Sequence, residues 1–106
     1  MLTSKLVYEG VSSVLLSLRN SELEDAKKKL DVIASEARTE RERGSILAAM
    51  GIYSSMVRAK DGTLQTWEQD RIVRAAHSIR QNQMADEFDA GYADILLDYS
   101  KLLKGP

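Results

Sequence analysis

Residues 87–103 read EFDAGYADILLDYSKLL, and this stretch decides the fold class. Phe88, Tyr92, Ile95, Leu96, Tyr99, Leu102 and Leu103 recur at spacings of three and four, the period of one helix face rather than the alternation of a strand. Lys101 and Lys104 stand where a helix dipole favours cations, and Gly105-Pro106 is a stop.

The same period runs back through the chain. Val7, Val11, Val14, Leu15 and Leu18 form the apolar stripe of a helix expected over 4–19, with Ser12, Ser13 and Ser17 on its other side. Ser21 and Glu24 have the spacing of a capping box, which would open a second helix with a narrow seam at Leu23, Ala26, Leu30, Ile33, Ala34 and Ala37. Residues 38–43 are almost all charged and are expected to stay solvated. Thr39 and Glu42 form a second capping-box pair there, which favours a break and a new helix over one rod through 22–59.

The third helix is expected to bury Ile46, Met50, Tyr53 and Val57, with Leu47 and Met56 flanking. Lys60-Asp61-Gly62-Thr63 reads as a turn. Thr66 and Gln69 would cap a fourth helix with Ile72, Val73, Ala76 and Ile79 inward, ending near Gln81-Asn82-Gln83. The fold expected is therefore all-α, an antiparallel bundle of four or five amphipathic helices forming one domain over residues 1–106. No fixed-period repeat of helix pairs is present. Met50-Gly51 has the look of a tetratricopeptide pair, but Ser54 replaces the tyrosine that pattern requires.

Composition narrows the function classes. Of 106 residues, 43% are hydrophobic and 29% charged, enough for one core and too little for two. No run approaches the ~18 apolar residues of a membrane span. The start, Met1 to Lys5, lacks the marks of a signal peptide, and there is no cysteine, so a cytoplasmic setting is expected. Charge is near balance, with residues 1–60 at +2 and 61–106 at −3, which does not favour a dedicated nucleic-acid binder.

Catalytic chemistry is hard to assemble. His77 is the only histidine, no nucleophile turn surrounds any serine, and Arg74 stands where a Glu-x-x-His metal pair would need its glutamate. No metal or cofactor is expected. Glu87, Asp94 and Asp98 share one strip of the last helix, which reads as a solvated face, a surface for a basic partner or, in an alternative reading, the carboxylates of a metal-dependent hydrolase. Gly91 lies in that strip and would let another chain approach closely. Arg71 and Arg74 would carry a second alternative, nucleic-acid binding, although Glu68 and Asp70 would then meet phosphates.

The favoured expectation is non-enzymatic: a protein-interaction or assembly module, self-associating or docking on a larger protein. Tyr53, Trp67 and Arg71 around the turn between the third and fourth helices are the first candidate contact residues, because aromatic rings and arginine dominate interface energetics. Glu87, Asp94 and Asp98 are the second.

Overall fold

The computed structural model describes residues 4–59, 66–82, 84 and 86–103, the side chains of Ser4, Lys5, Thr66 and Trp67 excepted. The expected Lys60–Thr63 turn, the Thr66 cap and the Lys104–Pro106 stop lie outside what is described. Five helices follow in order: α1 (Ser4–Arg19), α2 (Leu23–Ala34), α3 (Glu40–Arg58), α4 (Thr66–Gln81) and α5 (Glu87–Leu103). No strand occurs among the described residues, and the fold is all-α.

The α1–α2 junction is closed differently from expectation. Ser21 adopts φ 59°, the left-handed region, and its N–H donates to the Leu18 carbonyl while the Glu22 N–H donates to that of Ser17. This is a Schellman ending for α1. It takes Ser21 out of position for the predicted capping box with Glu24, and Glu22 occupies the N-cap without a side-chain bond. The hairpin is fastened instead by a polar set. Ser17 donates to Asp25 at 2.6 Å, and Lys29 reaches both Ser17 and Asp25 at 2.9 Å. Gly10 lies against Ile33 further along, so α2 returns antiparallel to α1.

The break between α2 and α3 is real, and Thr39 opens α3 with the complete capping box. Its hydroxyl accepts from the Glu42 N–H at 3.1 Å, and the Glu42 carboxylate accepts from the Arg38 and Thr39 N–H groups at 3.0 and 3.4 Å. Glu42 is therefore 1% exposed, contrary to the expectation that all of 38–43 stays in water. Two backbone donors and the positive end of the helix dipole compensate that burial.

Helix α3 packs with a face about 100° from the one its large apolar residues suggest. The buried set is Ser45, Ile46, Ala48, Ala49, Ile52 and Met56, with Gly44 and Glu42. Of the expected core residues only Ile46 is fully covered; Tyr53 is half-buried, while Met50 and Val57 are 42% and 53% exposed. The reason is close approach of backbones. A Cβ on Gly44 would lie 2.0 Å from the Phe88 carbonyl oxygen, and one on Gly91 would lie 2.0 Å from that of Arg41. The close approach foreseen at Gly91 is thus made by α3 of the same chain. The Ser45 hydroxyl sits between these contacts, within 3.0 Å of the Arg41 carbonyl and 3.3 Å of that of Gly91. At the far end Tyr99 donates to the Met56 sulfur at 3.4 Å, so α3 and α5 run in the same direction.

Helix α5 begins with a reciprocal cap missed in the sequence: the Asp89 N–H donates to the Asp86 carboxylate at 3.0 Å, and the Asp86 N–H to that of Asp89 at 3.3 Å. The core draws on every helix, from Val7, Val11, Val14, Leu15 and Leu18 of α1 to Ala76 of α4 and Ile95, Leu96 and Tyr99 of α5. The α2 seam at Ala26, Leu30 and Ile33 is closed within this core and is not left for a partner. Helices α1 and α3 pack on each other and each on both α2 and α5, α2 and α5 do not meet, and among the described residues α4 packs on α5 alone. The radius of gyration, 13.1 Å, is that of a closed chain of this length.

Candidate interaction surface

The carboxylate strip of α5 is partly consumed within the fold. Arg41 of α3 reaches Asp94 at 2.5 Å and Glu87 at 3.4 Å, and Arg80 of α4 takes the other Asp94 oxygen at 2.5 Å. Three helices are joined there by a chain of charges that remains partly in water. Tyr8 of α1 lies beside it; burial pushes its phenol above the ordinary range, Arg41 opposes, and Glu42, Asp94 and Glu87 add to the rise. Asp98 stands apart at the α1–α5 crevice with Leu15, Leu16 and Leu102. Partial burial lifts its carboxyl above the usual value, Lys101 opposes, and Asp94 reinforces the rise.

Glu87, Asp94 and Asp98 are not gathered as ligands: among the described residues no group of three or more histidines and carboxylates could hold a metal ion. Asp94, the middle member, already has two guanidinium partners. His77 is exposed on α4.

The three residues expected around the α3–α4 turn are not shown as one patch. Tyr53 is half-buried on α3 and packs against the core. Arg71 is exposed on α4 and lines a groove between α4 and α3. The Trp67 side chain lies outside the described residues. Arg74 is exposed as well. A helix-turn-helix reading needs its two helices packed on each other, yet α3 and α4 make no packing contact among the described residues.

What the fold leaves uncovered on α3 is more informative. Leu47, Met50 and Val57 are 47%, 42% and 53% exposed. At about 100° per residue they fall within about 80° of one another, so they form one stripe, with Tyr53 at its edge. Leu47 and Met50 also form the rim of a recess of about 260 Å³ whose other walls are Ala34, Ala37, Arg43, Ile46 and Phe88. The remaining exposed large apolar residues, Leu6, Leu16, Val32 and Met84, are scattered over other segments.

Comparison with known proteins adds no relative. The chain matches no protein-family model, no curated protein and no solved structure. Among the described residues no helix is long and apolar enough to cross a membrane.

In the sequence, Met50 and Val57 belong to the apolar run expected in the core of the third helix, with Leu47 on its flank. The signal that could have reversed the assignment is the set of small residues on the neighbouring arc: Gly44, Ser45, Ala48 and Ala49. Residues of that size permit a close helix crossing.

Proposed function

We propose that this chain is a non-enzymatic protein-interaction module that self-associates through the outer stripe of α3. The observation that carries the reading is the exposure of Leu47, Met50 and Val57 on one side of one helix. Single exposed apolar residues are normal on any protein, but a contiguous set beside a recess is the usual mark of a contact site.

Self-association follows from the layout of the stripe. The recess with Ala37, Ile46 and Phe88 lies toward the start of α3, and Val57 projects near its end. Two copies related by a two-fold axis, with their α3 helices antiparallel, bring Val57 of each copy to the recess of the other. Met50 then lies near the axis beside its counterpart, while Leu47, on the recess rim, meets Val57 of the other copy. Such an isologous contact satisfies both copies with one surface. A standard interface takes about 800 Å² from each partner, so Tyr53 and the recess walls contribute alongside the three exposed side chains.

Light scattering over a range of concentrations tests the reading. The wild-type mass is expected to move from monomer to dimer, while Met50→Glu and Val57→Glu remain monomeric with unchanged helicity by circular dichroism. A wild-type chain that stays monomeric to about 1 mM overturns self-association, since contacts of this size are expected to be stronger than that.

A further inference from the structure

Helices α3 and α4 flank α5 without packing on each other among the described residues, and the space between them is a groove of about 440 Å³. The sequence explains why it is open. The residues that α3 turns toward it, Ala48, Gly51 and Ser55, are small, and so is Ala75 on the α4 wall. The floor is apolar, made by Ile52 of α3, Ile72 of α4 and Leu96 of α5. A volume of this order is that of a small-molecule site.

Its polar groups are nearly all donors. Arg58 lines the α3 wall and Arg71 the α4 wall, and neither guanidinium is ion-paired among the described residues, whereas Arg41, Arg43 and Arg80 all are. The Tyr92 hydroxyl comes up beneath Gly51, 4.0 Å from where a Cβ would stand there. It makes no hydrogen bond within the described protein, yet it is not sealed away from solvent. Glu68, on the α4 wall, is engaged in an interaction of its own and is the single carboxylate of the lining, so the groove keeps one positive charge in excess.

We infer that this groove binds a small amphiphilic carboxylate, with its apolar body over Ile52, Ile72 and Leu96 and its carboxylate held by Arg58, Arg71 and the Tyr92 hydroxyl. A carboxylate rather than a neutral polar group is the match, because guanidinium groups donate in a planar fork that fits two oxygens, and they accept nothing. The apolar body is required because a bare anion would leave the floor in water. The site is separate from the α3 stripe, and its occupancy does not depend on dimerisation.

The test titrates the full-length protein with decanoate, below its micellar concentration, and in parallel with decanol, its neutral analogue, following backbone amides by nuclear magnetic resonance. Saturable shifts are expected at Gly51, Ser55, Ala75 and Leu96, with decanol binding at least tenfold more weakly. The double variant Arg58→Gln/Arg71→Gln is expected to weaken decanoate about tenfold or more and to leave decanol unchanged. Tyr92→Phe, which keeps the ring on the floor, is expected to weaken decanoate several-fold. Ala75→Leu, at an exposed position where the added volume fills the groove, should abolish both without altering the folded spectrum. Equal binding of decanol and decanoate, insensitivity to the arginine pair, or shifts confined to Leu47, Met50 and Val57 would each overturn the assignment. Light scattering on the same samples reports the dimer independently, so failure of one reading is not failure of the other.

Discussion

Ser21 carries a conformational cost that its neighbours impose. Its φ of 59° is needed for the Schellman ending of α1, and a residue with a Cβ is disfavoured there by about 1 kcal/mol. Ser21→Gly is expected to stabilise the protein by about 0.5–1 kcal/mol, read as a higher denaturant midpoint at unchanged slope; a lower midpoint would show that the serine hydroxyl contributes something its geometry does not reveal. Tyr99 is a second residue with a measurable signature. Burial pushes its phenol up to about 12 from 10.0, so the folded state holds that proton more tightly than the unfolded state. The stabilisation is fully present below pH 10 and is lost as pH rises toward 12, because over that window the unfolded chain releases the proton first. Ultraviolet titration should show one late phenolate whose ionisation coincides with unfolding, and Tyr99→Phe should remove it. A full complement of tyrosines titrating near 10 would contradict the buried placement.

At the scale of elements, the decisive contact is α3 against α5. Gly44 and Gly91 each meet a carbonyl oxygen of the facing helix, so an added methyl collides with backbone, which cannot rotate away as a side chain can. Gly44→Ala and Gly91→Ala are each expected to cost about 2–3 kcal/mol, whereas Gly51→Ala, which meets nothing nearer than the Tyr92 hydroxyl at 4.0 Å, should cost little or raise stability. Chemical denaturation of the three variants checks this order, and equal effects would sink it.

The same contact explains which elements were legible. The α1 boundaries and the Thr39 start of α3 could be read because periodicity and capping are local properties of a few adjacent residues. The buried face of α3 could not, because Met50 and Val57 outweigh Gly44 and Ala48 in any count of apolar size, and only the position of α5 makes the small residues the inner ones. Ser21 escapes its local pattern for a related reason: its S-x-x-E spacing fits a helix start, but the end of α1 claims the same residue first. The charge of Glu42 argues for water, but its own capping position supplies the two donors that permit burial.

For the whole molecule, the charge chain Arg41–Asp94–Arg80 ties α3, α5 and α4 together at one end. Its members are partly exposed, so its worth is positional more than energetic. It also uses up much of an acidic strip that the sequence offered as a binding surface. The candidate surface was half legible for this reason: Tyr53 and Arg71 belong to surfaces the fold presents, but on opposite sides of the exposed arc of α3, and Arg58, Tyr92 and Arg71 come to line one groove only once three separate helices are assembled. If the α3 stripe closes a dimer, the thermal midpoint should rise with chain concentration, since the native state alone is drawn into the complex.

The paired glycines have a further consequence. Helix α3 carries two seams, one of large side chains and one of small, and either could in principle face inward. Two interlocking notches, one on each helix, admit only the small seam. They leave the large one as the outer skin of the protein. If the outer skin is where a second copy docks, stability and recognition are written on different sides of a single helix, so substitutions that tune that contact need not disturb the fold, whereas a methyl group at either notch would disturb both.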